Sequence, residues 1–347
     1  MSNESPERIL IVKLSSIGDV LMATPVAIAL RTAFPESYIA WVVERKSADV
    51  VVGNPFLDEV IVSSRSRSGQ LFSDAKGFVR SLNGLRSELK SRRIDVSVDL
   101  QGLLRSAAVC LVSGAKDRIG FADAREGGRL LYTQRHDTRS RPVSIQQRNL
   151  GLLEPLGVHS TDTEMYMPIC DEDRDFANRF FADKGLNDTK VVSFCVATTR
   201  RNKHWTPEGW IALADILYKK HGVRSLIHGS KADIALVSSI ADAAESKPVV
   251  SAGLTTLKQA GALIEKSDAV IAVDTGLLHM SVALDRPSVG LFGASEWTCF
   301  QKKDNFIWIA KGLPCSPCLR RPTCQDIDCM KAITPEEIEE ALRPWLE

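Results

Sequence analysis

ILIVKLSSIGDVLMATPVAIAL, residues 9–30, decides how the rest of the chain is read. The apolar run from Ile9 to Leu14 has β character, a short loop of small residues follows, and a helix-like run comes next. Strand, tight loop and helix in that order open a nucleotide-binding unit, whose fingerprint places three glycines in the loop. Here the loop is Ser15-Ser16-Ile17-Gly18-Asp19, with one glycine and a carboxylate at the mouth of the helix. The missing glycines argue against a nicotinamide dehydrogenase. Asp19 suits the positive end of the helix dipole from the first turn. Thr24-Pro25 also reads as the start of a second helix.

The same alternation recurs along the chain. Strand candidates are Ile9–Leu14, Tyr38–Val43, Glu59–Val62, Val96–Leu100, Val191–Val196, Ser225–His228, Ala269–Val273 and Ser288–Phe292. Amphipathic stretches of helical length, such as Pro207–Lys220 with Gly222 as its stop, lie between most of them. Such alternation predicts an α/β protein with parallel sheets flanked by helices. It pauses between about 130 and 170, where arginines and Pro142, Pro155 and Pro168 accumulate, and restarts with the polar helix Asp171–Lys184. The organisation expected is a doubly wound domain over 1–165, a second over 166–332, and a C-terminal helix over 333–347. That last helix has a good start at Thr334-Pro335-Glu336-Glu337 and is free to cross back to the first domain.

A chain of 347 residues is long enough for two such cores. With 44 basic and 43 acidic residues there is no global field to attract nucleic acid. No apolar run approaches the roughly 20 residues of a membrane span, and the polar start MSNESPER does not read as a signal peptide. The protein is expected to be cytoplasmic. Eight cysteines are many for that setting. Cys110 and Cys195 sit among apolar neighbours and read as core. Cys315-x2-Cys318-x5-Cys324-x4-Cys329 has a spacing that leaves free thiols, disulfides and a metal all open.

Chemistry in doubly wound folds lies at the carboxyl ends of the strands, and three stretches fall there. In AVIAVDTGLLHMSVALDRPSVGLFGASE, 269–296, a buried strand ends at Asp274. Thr275-Gly276 then open a helix whose exposed amides suit an anion, and Thr275 and His279 share a face at four-residue spacing. Taken singly, each residue reads equally well as a cap or as core; together they suit a diphosphate. In VSFCVATTRRNKHWTPEGW, 192–210, Thr198, Thr199 and Lys203 offer hydroxyls and a cation to phosphate oxygens, while Arg200 and Arg201 read as solvated loop. The opening loop is the third.

These stretches, with DVSVDLQGLLRSA and RIGFADAREG, resemble the ADP-heptose:lipopolysaccharide heptosyltransferases of glycosyltransferase family 9, and the form ATTR..KHW is most similar to heptosyltransferase I. The resemblance implies a GT-B fold, two Rossmann-like domains facing a central cleft, with the acceptor on the first and the donor on the second. It implies inverting transfer of heptose from ADP-L-glycero-D-manno-heptose to the inner core, Kdo-bearing lipid A. Asp19 would be the general base on the acceptor hydroxyl, which answers why the first loop carries a carboxylate. By motif position, donor binding falls to Thr198, Thr199, Lys203, Asp233, Leu254, Asp274, Thr275, Gly276 and His279. Asp233 stands where the family usually has Glu. Acceptor-side candidates are Ser16, Gly18, Gln101 and Arg125, joined by Arg65 and Arg67.

The two arginines come from a local charge asymmetry: between Ser64 and Arg93 there are eight basic residues against Asp74 and Glu88. Such a run reads equally as a solvated helix face and as a surface for Kdo carboxylates, lipid phosphates and peripheral contact with the inner membrane. Metal-independent catalysis without a cofactor is expected. Asp171-Glu172-Asp173 opens a helix and Asp326-Ile327-Asp328 lies within the cysteine cluster, so neither sits at a strand end to hold Mg²⁺ on a diphosphate. Rival readings are a family 9 transferase with another nucleotide sugar or a later core acceptor, and a non-catalytic sugar-nucleotide binder.

Overall fold

The computed structural model describes residues 6–63, 75–138, 144–297, 303–319, 324 and 326–347, with backbone alone for 75–81. The chain divides into two compact units, Met1–Pro168 and Ile169–Glu347; the sequence reading places this junction near 165. Among the described residues no helix is long and apolar enough to cross a membrane.

The first unit is built on six parallel strands: β1 (Arg8–Val12), β2 (Tyr38–Glu44), β3 (Glu59–Ser63), β4 (Val96–Asp99), β5 (Asp117–Phe121) and β6 (Gln134–His136), in the order β3-β2-β1-β4-β5-β6. The second repeats the plan with β7 (Val191–Cys195), β8 (Arg224–His228), β9 (Val249–Val250), β10 (Ala269–Val273), β11 (Ser288–Phe292) and β12 (Phe306–Ala310), in the order β12-β11-β10-β7-β8-β9. The central strands are unbroken apolar runs because helices cover both faces of a parallel sheet. Ile9 to Val12 and Ala269 to Val273 are all 0% exposed. Strand order reverses between β1 and β4 in one sheet and between β7 and β10 in the other. Loops leaving these strands diverge to opposite faces, which opens a crevice at the carboxyl end.

Four strands go beyond the eight read from the sequence: β5, β6, β9 and β12. Three of them are sheet edges. Gln134-Arg135-His136 and the two-residue β9 carry little hydrophobic signal because an edge strand buries less of itself. Residues 17–33 do not form one helix. Helix Ile17–Leu21 stops and a second, Thr24–Ala33, begins at Thr24-Pro25. Helix Pro207–His221 ends at Gly222, whose φ of 67° allows the Gly222 and Val223 amides to close on Tyr218 and Leu217.

The C-terminal helix Pro335–Leu346 packs within the second unit. Ile338, Leu342 and Leu346 form an i, i+4, i+8 stripe buried in the core of the second sheet with Trp210 and Leu217. Glu339 beside that stripe accepts from Lys220 (3.1 Å) and lies 2.8 Å from His221, both on helix Pro207–His221. Trp205 closes the arrangement by donating its indole N–H to the Ile333 carbonyl at 3.1 Å. An apolar stripe with charge partners on a neighbouring helix dictates where an amphipathic helix docks.

One glycine is set by a close approach. A Cβ at Gly120 on β5 would lie 2.4 Å from the Tyr132 ring, and the Tyr132 hydroxyl donates to buried Asp99 at 2.7 Å. Gly120→Ala is therefore expected to push Tyr132 off Asp99 and destabilise the protein by about 1–3 kcal/mol. Urea denaturation checks this, and an unchanged midpoint would show that the ring can move freely.

Candidate active site

At the reversal point of the first sheet, the loop after β1 is fixed from β4 and from the helix that follows it. The Gln101 side-chain carbonyl accepts the amides of Leu14 and Ser15, each at 3.2 Å. Arg105 donates to Ser15 Oγ at 2.9 Å and forms an ion pair with Glu44 at 2.5 Å. Lys13 is 7% exposed and donates Nζ–H to the Leu100 carbonyl at 2.8 Å. Burial lowers the Lys13 pKa, against the raising charges of Asp19 and Asp99. Burial also raises that of Asp99, against hydrogen bonds from Tyr132, Ser106 and the Gln101 and Gly102 amides.

On this platform Asp19 is half-buried in the first turn of helix Ile17–Leu21. Its Oδ2 accepts from the Ser16 amide (3.1 Å) and from Ser16 Oγ (2.7 Å). Ser16 thus orients the carboxylate, and buried Gly18 precedes it in the chain. Gln101, an acceptor-side candidate, also braces this loop. Arg125 is exposed, with its amide on the Gly102 carbonyl at 3.0 Å. Arg65 and Arg67 lie outside the described residues.

The second sheet gathers a denser cluster around Asp274, which follows β10. Lys203 and the Ser295 hydroxyl both donate to Asp274 Oδ2. His279 Nε2 lies 3.8 Å from Oδ1, and Thr198 Oγ1 donates to the Asp274 carbonyl at 3.1 Å. His204 sits 2.9 Å from the Thr198 carbonyl and pins that loop. Burial works to raise the Asp274 pKa, but the His279 hydrogen bond and the Lys203 charge outweigh it and hold the carboxyl well below the usual range. Thr275, in extended conformation, is the N-cap of helix Gly276–Ala283, so a cation, two hydroxyls and helix-start amides meet at the ends of adjacent strands β7, β10 and β11. Such a set can receive an anion, and Asp274 fixes the Lys203 ammonium by an ion pair.

Thr199, Asp233 and Leu254 are the remaining donor-side candidates. Thr199 is exposed. Asp233 caps its own turn, its Oδ2 accepting the Ser230 amide (2.8 Å) and hydroxyl (2.6 Å). Leu254 is 60% exposed, with its amide on the Ser251 carbonyl at 3.1 Å. Ser295, Lys13 and Arg105, which these hydrogen bonds bring to the candidate site, carry no such signal in the sequence. Only the position of Ser295 just past a buried strand gives it away, because the pairing of Ser295 with Asp274 joins residues 21 apart.

The ionised Asp274 has a consequence for stability. A carboxyl whose folded pKa is depressed stabilises the fold above its unfolded value, ordinarily 3.8, and loses that contribution as pH falls through the folded one. Asp274→Asn removes it at every pH. The gap in Tm between wild type and variant is expected to be largest above about pH 5 and to shrink below about pH 4. Calorimetry across that range checks this, and a gap independent of pH would contradict it.

The sequence profile of Glycosyltransferase family 9 (heptosyltransferase) matches residues 83–326, and the chain belongs to that family. Among relatives, lipopolysaccharide heptosyltransferase 1 of Pseudomonas aeruginosa is 29% identical over 322 residues, covering 91% of this chain and 87% of that protein. In fold, the chain matches the crystal structure of a glycosyl transferase family 9 protein from Veillonella parvula with a TM-score of 0.85, at 23% identity over 98% of this chain and 97% of that one. It matches Escherichia coli heptosyltransferase WaaC, solved with ADP, with a TM-score of 0.75, at 23% identity over 97% and 99%. The two doubly wound sheets are thus those of a GT-B glycosyltransferase.

Proposed function

We propose that this chain is an inverting heptosyltransferase of lipopolysaccharide core assembly, moving heptose from ADP-heptose onto Kdo-bearing lipid A. The observation that carries the reading is the Lys203–Asp274–Ser295 cluster beside the start of helix Gly276–Ala283. It supplies the cation and the amides that a nucleoside diphosphate needs, in a chain whose relatives include heptosyltransferase 1. The second unit binds the donor and the first binds the acceptor. Asp19 takes the proton from the acceptor hydroxyl as its oxygen bonds to the anomeric carbon. The bond from that carbon to the diphosphate oxygen breaks on the opposite side, and ADP departs with the electron pair. Charge growing on the diphosphate is met by Lys203 and the helix amides, so transfer needs no divalent metal.

Product analysis with ADP-heptose and Kdo-bearing lipid A, beside UDP- and GDP-sugars, tests this. Heptose added to the Kdo acceptor only from the ADP donor, with transfer surviving EDTA, is the expected result. Transfer from another nucleotide sugar, or to a later core acceptor only, would move the chain elsewhere in the family. The Ser16 bonds to Asp19 favour a second reading, a sugar-nucleotide binder in which Asp19 is a helix cap alone. Absence of any transfer or donor hydrolysis, with ADP binding retained, would establish it.

A further inference from the structure

Ser15 and Ser16 stand side by side in the opening loop, and their hydroxyl protons are directed differently. Ser16 Oγ donates to Asp19 Oδ2 at 2.7 Å, so its proton is committed to the carboxylate. Ser15 Oγ instead accepts an N–H from Arg105 at 2.9 Å. A guanidinium has donors and no acceptor, so the Ser15 proton cannot be directed at Arg105. Nor does Gln101 take it, because its side-chain oxygen already accepts two amides, those of Leu14 and Ser15. Among the described residues no hydrogen bond uses this proton. The guanidinium that imposes the arrangement is itself fixed. Glu44, 8% exposed at the end of β2, pairs with Arg105 at 2.5 Å, and its amide donates to the Leu14 carbonyl at 2.9 Å. Arg105, in the first turn of helix Leu104–Val112, thus meets a carboxylate through one nitrogen and Ser15 through the other.

We propose, on the transferase reading above, that Ser15 is a further acceptor-binding residue. Its hydroxyl, turned by the Glu44–Arg105 pair, donates to a carboxylate oxygen of the acidic sugar that receives the transferred group. Such a sugar brings two unlike groups to one loop. Its reacting hydroxyl gives up a proton and suits Asp19, but its carboxylate is repelled by Asp19 and needs a donor. Ser16 is not that donor, since its proton is on Asp19. Ser15, the preceding residue and half-buried, has a proton to give. A hydroxyl that accepts from a charged donor is polarised and becomes a stronger donor in turn, and hydrogen bonds to an ionised oxygen are the stronger class. Arg105 and Glu44 act through Ser15 and are positioning residues.

Ser15→Ala keeps the amide on Gln101 and removes only the hydroxyl. It is expected to raise the KM for Kdo-bearing lipid A about tenfold, with kcat within about twofold of wild type and the Kd for ADP unchanged. Wild type should bind the methyl ester of the acceptor carboxylate at least about tenfold more weakly than the acid. On that ester Ser15→Ala and wild type should agree within about twofold, because the coupled partner is gone. Arg105→Met with Glu44→Gln, which removes both charges and strands neither, should raise the KM for the acid as Ser15→Ala does. Calorimetry with the acceptor reads the same contact without turnover. Weaker binding in Ser15→Ala, in a protein that transfers nothing, would sustain the contact and refute the transferase reading. Transfer by wild type, with acceptor binding and KM unchanged in Ser15→Ala, overturns the proposal alone. Equal wild-type affinity for acid and ester, an equal loss on both in Ser15→Ala, or a Kd for ADP that rises with KM overturns it as well. Wild type that does not bind the acceptor overturns both.

Discussion

Asp19→Asn is expected to lower kcat by about 10²-fold or more while leaving the Kd for ADP near the wild-type value. The expectation follows from where the carboxylate stands. It lies at the reversal point of the first sheet, on a loop held by Gln101 and Arg105, and oriented by Ser16. A base acts only in the transition state, so its loss falls on turnover. Asp19→Ala removes the same base but also the bonds to Ser16, which cost about 0.5–2 kcal/mol of stability when a helix cap is lost. Asn keeps a carbonyl oxygen for the Ser16 amide and separates the two effects. Steady-state kinetics with a competent acceptor, beside calorimetry with ADP, make the measurement. Near-wild-type turnover in Asp19→Asn would leave Asp19 as a cap and remove it from the chemistry.

Lys203→Ala is expected to weaken ADP binding by roughly 10- to 100-fold, the equivalent of losing a charge-assisted hydrogen bond of about 1.5–3 kcal/mol. It should slow transfer as well, because charge on the diphosphate grows as it leaves. The variant also strands Asp274, whose depressed pKa depends on His279 and on Lys203. The double variant Lys203→Ala/Asp274→Asn is therefore expected to recover stability and not affinity. Arg65→Ala with Arg67→Ala should leave ADP binding alone and raise the acceptor KM. Calorimetry in which the arginine pair, and not Lys203, governs ADP affinity would exchange the roles given to the two units.

Alternation of apolar runs with amphipathic stretches was enough to read two doubly wound sheets, since a parallel strand buried on both faces needs an uninterrupted apolar run. The motifs were legible for the same reason. Lys203, Asp274 and the start of helix Gly276–Ala283 each follow a buried strand, and the carboxyl end of such a strand is where ligands bind. Edge strands such as Gln134–His136 escaped, because they bury too little to leave a period. The course of Pro335–Leu346 escaped too. Its stripe of Ile338, Leu342 and Leu346 announces that it must dock but does not say on what.

The sequence by itself thus determined the class of fold and the strand ends at which the candidate residues stand, because these follow from local pattern and from the backbone geometry of strand, loop and helix. Only the tertiary structure decided which side chains meet. It turned Asp233 back onto Ser230, made Gln101 a brace for the first loop, and brought Ser295 and Lys203 together on one oxygen of Asp274. Hydrogen bonds and ion pairs act over a few ångströms between residues far apart in the chain, and no local periodicity encodes such contacts.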